Sequence, residues 1–151
     1  MRNVQATIVI DASPGKVLSA FTTPVHLHRW WGVERSLIEL KKGGLYSLAW
    51  EITSSGMRFV TSGIITEYLP ACQLKVSNLV YFNAGRSILG PLELLVLTTP
   101  EDSCTSLTVI QSGYQTGTDW DWYYNAVRTA WPEVLKQLKT YLEKPVMVDL
   151  L

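Results

Sequence analysis

Few side chains in this 151-residue sequence are of types that do chemistry, and their spacing narrows them further. The only histidines, His26 and His28, form an HxH pair of the kind that can hold a metal ion. Residues two apart on a helix face different ways, however, and no cysteine or carboxylate cluster nearby completes a ligand set. Loop or surface packing is the reading for both. Glu34, Glu51, Glu67, Glu93 and Asp119 could exchange protons with a substrate if two converged, but no spacing brings a pair together. Ser87, Ser103 and Ser112 lack an elbow motif or an adjacent base. Neither Gly43-Gly44 nor the Gly113 to Gly117 stretch leads into GxGxxG or GxxxxGK, so no phosphate cradle is expected. The sequence assigns no catalytic residue, no metal and no cofactor.

What remains is recognition by rings, and the elements must be read to see where the rings go. Arg2 to Ile10 alternates loosely and ends at Asp11-Ala12-Ser13-Pro14, where Ser13 can cap a helix whose first residue is proline. That helix runs through Val17, Leu18 and Phe21. Thr22-Thr23-Pro24 stops it and opens a second short helix toward Trp30-Trp31-Gly32.

From Glu34 the pattern changes to period two, predicting strands near 35–40, 45–52, 58–68, 72–79, 86–98 and 105–113. Turn-like breaks at Lys42-Gly43-Gly44, Ser54-Ser55-Gly56, Leu69-Pro70 and 99–102 make them an antiparallel meander. Residues 118–143 read as a long helix, with Thr118 as cap and Asp121 completing a short capping box. Trp120, Tyr123, Val127, Trp131, Val134, Leu138 and Leu142 give it one apolar stripe. Pro132 falls inside that run, so a kink at Trp131 or two helices meeting there is expected. Residues 145–151 read as an extended tail. The fold class is α+β, a curved antiparallel sheet around a long C-terminal helix with two short helices after the first strand.

A twisted sheet wrapped round a helix leaves space wherever the facing side chains do not fill it. Alternation in 45–52 puts Tyr46, Leu48, Trp50 and Ile52 on one face, and the helix start supplies Trp120, Trp122, Tyr123 and Tyr124. Trp122 could equally lie outside. Asn78 and Gln111 alternate with apolar neighbours and could orient a ligand, or be satisfied by backbone near strand ends. Tyr46, Leu48, Trp50, Asn78, Gln111, Trp120, Tyr123 and Tyr124, with Trp31, Phe59, Val127 and Trp131, make up the expected wall of a cavity for a small apolar molecule. The same spacing also suits an ordinary core.

The bulk numbers set the frame. A chain of this length buries roughly 70% of its extended surface and needs no staple, and one domain spanning 1–151 is expected. Thirteen basic and thirteen acidic residues cancel, which leaves no electrostatic case for nucleic acid. Residues 1–10 lack the hydrophobic middle of a signal peptide. The most apolar later stretch, 88–97, is broken by Gly90, Pro91 and Glu93, short of the ~20 residues that span a bilayer. Cys72 and Cys104 are isolated from one another and from any CxxC pair. Reduced thiols, a cytoplasmic location and no membrane insertion are the expectations.

Several motifs together resemble a known family. Pro24-Val25-His26-Leu27-His28-Arg29-Trp30-Trp31-Gly32, Gly43-Gly44-Leu45-Tyr46, the 63–70 segment and the ending that opens Trp131-Pro132-Glu133-Val134-Leu135 are similar to the START-like (SRPBCC) superfamily. The branch is the one named for the activator of heat-shock-protein-90 ATPase. The resemblance covers essentially the whole chain and implies a helix-grip fold with an apolar tunnel between sheet and helix. The superfamily includes lipid carriers, hormone and pollen-allergen binders, polyketide cyclases and aromatases, and co-chaperone domains, so the fold implies little chemistry. Many members place a histidine where this chain has Gln111, before Ser112-Gly113. The co-chaperone's additional gripping domain has no room here, so a chaperone partner is not expected.

Three functions follow as expectations. The first is binding of a hydrophobic or aromatic molecule, lipids included. The second is cyclase-like catalysis in the same cavity, requiring Glu34, Glu51 or Asp119 inside it. The third is an interaction module with an exposed apolar patch. A homodimer is also carried as an expectation.

Overall fold

The computed structural model describes residues 2–144. Its elements are β1 (Arg2–Ile10), α1 (Pro14–Ser19), α2 (Pro24–Trp31), β2 (Arg35–Ile38), β3 (Leu45–Thr53), β4 (Gly56–Leu69), β5 (Gln73–Asn83), β6 (Leu89–Glu101), β7 (Cys104–Tyr114) and α3 (Thr118–Leu142). All strands join one antiparallel sheet in the order β1-β7-β6-β5-β4-β3-β2. The meander therefore runs unbroken from β2 to β7, and β1 pairs with the last strand. Because β1 and β2 lie at opposite edges, the α1–α2 pair must carry the chain across the sheet. The expected tail, 145–151, lies outside the described residues.

Local chemistry explains the helix boundaries. The Ser13 hydroxyl accepts from the Lys16 backbone N–H at 3.3 Å, and Pro14 opens α1 as the sequence suggests. The α-helix stops at Ser19 rather than reaching Phe21. Gly32 ends α2 in the left-handed conformation at φ 72°, which a residue without a Cβ adopts at no steric cost.

The last carbonyls of these short helices are capped by rings instead of water. The Trp30 indole donates to the Ala20 carbonyl at 2.8 Å, the Tyr46 hydroxyl to Phe21 O at 2.6 Å, and the Trp50 indole to Trp31 O at 3.1 Å. Helix-end carbonyls have no intrahelical partner, so each of these bonds satisfies a group that burial would otherwise strand.

At the start of α3 the structure corrects the sequence reading. Gly117 is the cap, at φ 133° with no side-chain bond, while Thr118 is already inside the helix. No capping box forms because the carboxylates are used elsewhere. Asp121 pairs with Arg2 at 2.8 Å, and Asp119 accepts from the Ser87 backbone N–H at 3.0 Å and from Arg86 at 3.2 Å. At the other end Glu143 accepts from the Asp11 N–H and from Lys139, both at 2.7 Å. The helix is thus fastened by two carboxylates at its start, to β1 and to the loop before β6, and by one at its end, to the loop after β1. Pro132 does not divide it, and α3 is a single element through Leu142.

Asn78 lies at a β-bulge. Val76 faces Leu94 and Leu79 faces Leu92, so two β5 residues oppose one on β6, and Asn78 takes φ 51°. The bulge leans on Gly63 of β4, where an added Cβ would sit 2.7 Å from Val76 Cγ1 and 2.9 Å from the Ser77 carbonyl.

Two predictions follow from these contacts. Gly63→Ala should lower stability by about 1–3 kcal/mol in chemical denaturation, since the Ser77 carbonyl as well as the Val76 side chain must move; an unchanged midpoint would contradict the close approach. The hydrogen bonds to Asp119 and Glu143 hold both carboxyls below their usual range, chiefly through Ser87 and Asp11 respectively. A depressed folded-state pKa means that the stabilisation is complete above the unfolded value and fades as pH falls through the folded one. An Asp119→Asn, Glu143→Gln double variant should therefore melt below the parent at neutral pH and converge with it in strong acid.

Candidate functional site

The concave face of the sheet and α3 enclose a hollow of about 340 Å³. Alternation along β3 turns Tyr46, Leu48 and Trp50 into it, and the antiparallel register sets their neighbours. Leu48 faces Thr61 of β4, Thr61 faces Tyr81 of β5, and Trp50 faces Phe59. Leu79, Leu94 and Gln111 continue the floor across β5, β6 and β7. The roof is one face of α3, formed by Tyr123, Val127, Ala130, Trp131 and Val134 at the three- and four-residue spacing of a helix. Trp31, the last residue of α2, closes one end.

The space stays open because the row that faces α3 carries Thr61 where a large side chain would meet the roof, and the roof offers Ala130 in return. Ala130 is exposed, while Val127 and Phe59 are half-buried, so the hollow opens to solvent between α3 and β4.

Rings hold the walls in place. Trp31 touches three other indoles, stacking on Trp30 at 5.1 Å and meeting Trp50 and Trp131 at 5.2 and 5.4 Å. On the opposite side Tyr81 stacks on Tyr123 at 4.3 Å. Offset and edge contacts of this kind add roughly 0.5–1.5 kcal/mol beyond area burial.

One side-chain amide lies in this mostly apolar space, beside the Thr61, Tyr81 and Tyr123 hydroxyls. Gln111 is buried, donates from Nε2 to the Tyr123 hydroxyl at 3.2 Å, and accepts at Oε1 from the Trp131 indole at 3.3 Å. Burial pushes the Tyr123 and Tyr81 phenols up from their ordinary pKa, so both stay neutral and protonated at physiological pH. Among the described residues no charged side chain lines the hollow.

Trp31, Tyr46, Leu48, Trp50, Phe59, Gln111, Tyr123, Val127 and Trp131, expected as wall from the sequence, come together here. Asn78, Trp120 and Tyr124 do not. Asn78 is exposed because the bulge inverts the alternation that would have turned it inward. Trp120 lies one turn beyond the end of the hollow, edge-on to Tyr114 at 6.3 Å. Tyr124 is rotated by about 100° from Tyr123 and packs on Tyr114 beneath the Arg2 guanidinium. Ile52 also falls outside. Trp122 lies under the Arg86 guanidinium at 3.6 Å, away from the hollow.

Thr61, Leu79, Tyr81, Leu94, Ala130 and Val134 were not singled out. Tyr81 was hidden because β5 continues past Leu79 to Asn83, although a period-two count from Leu79 reaches it. Val134 already stood in the helical stripe.

The residues that suggested catalysis are occupied elsewhere. Glu34 accepts from the Ile52 N–H at 3.1 Å, Glu51 pairs with Arg58 at 3.4 Å on the surface, and Asp119 anchors α3. His26 bonds Tyr141 at 2.7 Å, and His28 lies 3.2 Å from the Val33 carbonyl. No group of metal-ligating side chains occurs among the described residues, and Cys72 and Cys104 are both free. No helix there is long and apolar enough to cross a membrane.

Comparison with solved structures gives the same architecture. Protein CV1439 from Chromobacterium violaceum superposes with a TM-score of 0.74 at 19% identity, covering 96% of this chain and 100% of that one. The Aha1 dimer from Colwellia psychrerythraea gives 0.71 at 21% identity, covering 95% and 97%. DynU16, a protein of the dynemicin biosynthetic locus, gives 0.69 at 16% identity, covering 94% of this chain and 47% of its own. No curated protein is similar enough in sequence to stand as a relative. The family model described as Activator of Hsp90 ATPase homolog 1-like protein matches residues 11–143, and with the helix-grip architecture around it the chain belongs to that START-like family.

Proposed function

We propose that the protein binds a small apolar molecule with aromatic character, non-covalently, in the hollow between the sheet and α3. The observation that carries this reading is a mostly apolar space of about 340 Å³ with uncharged walls and a few polar groups, Gln111 and the Thr61, Tyr81 and Tyr123 hydroxyls, among the described residues. That volume lies in the ordinary range of small-molecule sites, about 300–1,000 Å³, and a few placed polar groups among rings is their usual make-up. A cyclase-like reaction would need an ionisable group at the ligand, and the carboxylates considered for it, Glu34, Glu51 and Asp119, all lie outside the hollow. Binding is therefore the reading adopted.

Filling the hollow separates function from folding. Thr61→Phe places a ring in the open space, and uptake of a fluorescent apolar dye should fall at least tenfold while the melting temperature holds or rises. Quenching of the wall tryptophans in the parent, together with mass spectrometry of an organic extract, gives the reference. If neither the dye nor any extracted compound engages the parent, the reading is wrong.

A second reading concerns self-association. Met57, Phe82 and Ile88 are 56%, 40% and 66% exposed and share one shallow groove at the hairpin ends of β3–β4 and β5–β6. The similar Colwellia protein is a dimer, and a second copy would cover this apolar surface. Sedimentation should show a dimer that Ile88→Glu converts to monomer; a parent that is monomeric at high concentration removes the reading.

A further inference from the structure

The hydrogen-bond directions inside the hollow are fixed by one group that has no choice. An indole N–H only donates, so the Gln111 atom facing Trp131 Nε1 at 3.3 Å must be the carbonyl oxygen. The amide nitrogen then faces the Tyr123 hydroxyl at 3.2 Å. An amide nitrogen cannot accept, so the phenol oxygen is obliged to accept from it. The Tyr123 hydrogen must therefore go to some other acceptor, and among the described residues none lies within hydrogen-bonding range of it. The second Gln111 N–H is likewise uncommitted. The buried phenol remains protonated at neutral pH, so this hydrogen persists. Next to it, the Tyr81 oxygen accepts weakly from Asn83 Nδ2 at 3.4 Å, which leaves its own hydrogen unassigned as well.

The polar end of the hollow thus holds a surplus of donors. Resting on the binding reading above, we infer that the site selects apolar ligands carrying an acceptor without a hydrogen, such as a ketone, quinone or ester carbonyl, and that Tyr123 is the residue that reads it. A hydrocarbon of the same shape leaves the donor unused. An alcohol also accepts the Tyr123 hydrogen, but its own hydrogen must share the Gln111 oxygen with the Trp131 indole or reach across to the Thr61 hydroxyl, and a poorly paired buried hydroxyl is costly. Specificity then comes from an imposed direction and not from charge.

Benzophenone, diphenylmethane and diphenylmethanol share one shape and differ only at the central carbon, so they isolate the effect. Titrated against the intact protein by tryptophan quenching and calorimetry, benzophenone should bind roughly tenfold tighter than either of the others. In Tyr123→Phe the affinity for benzophenone should fall at least threefold relative to that for diphenylmethane, the Gln111 and Tyr81 donors accounting for the preference that remains, with a thermal melt confirming the fold. Gln111→Met keeps the volume but frees the phenol to turn, so diphenylmethanol should close the gap on benzophenone. Equal affinities for all three in the parent, or a ketone preference undiminished in Tyr123→Phe, overturns the inference and leaves apolar binding standing. If none of the three binds, the binding reading itself falls, and the selectivity with it.

Discussion

Width is the constraint from which the rest of this structure follows. Seven strands spaced about 4.8 Å apart span nearly 30 Å, whereas one helix with its side chains covers about 10–12 Å. A single α3 cannot shield the apolar face of such a sheet, however well its stripe is placed. Curvature brings the sheet's flanks toward the helix, and the α1–α2 pair covers part of what remains. The rest is neither solvent nor core. In this chain that remainder is bounded by strand residues in cross-strand rows, from Leu48 through Thr61 to Tyr81, so its shape is set by register.

Polar satisfaction then decides how the rings stand. Tyr46, Trp30 and Trp50 each spend their single donor on a carbonyl from the region of α1 and α2. This fixes which edge of each ring faces the backbone and which face is left for the hollow. Trp131 spends its donor on Gln111, which ties the roof to β7 through the middle of the space. The walls are rigid for a reason separate from hydrophobicity, namely that rotating any of these indoles would orphan a buried acceptor.

Much of this was legible in the sequence. Period two and period 3.6 located the strands and α3, and the RWWG and WPEVL segments pointed to the family. The wall residues on β3 and along the helical stripe followed from the same counting. What failed was anything that depends on a departure from period. The bulge at Asn78 inverted the inside–outside sense halfway along β5, and no pattern of residue types marks an inserted residue in advance. The cap of α3 was misplaced because Asp119 and Asp121 had partners distant in sequence, on the loop before β6 and on β1, and long-range partners leave no local trace. Trp120 and Tyr124 carried the right chemistry, but the position of the hollow's end is a tertiary fact.

The indole cluster around Trp31 divides the wall into two kinds of surface. Trp30, Trp31, Trp50 and Trp131 come from α2, β3 and α3 and share contacts, so a change at one alters the setting of the others, and their substitution costs combine non-additively. Phe59, Thr61, Leu79 and Leu94 stand on strands outside that cluster, and each meets the cavity more independently. Evolution of a new guest would then proceed by point changes on the strand floor, one residue at a time, while the tryptophan side persists as an inherited block. Such a protein diverges in what it holds faster than in how it holds it.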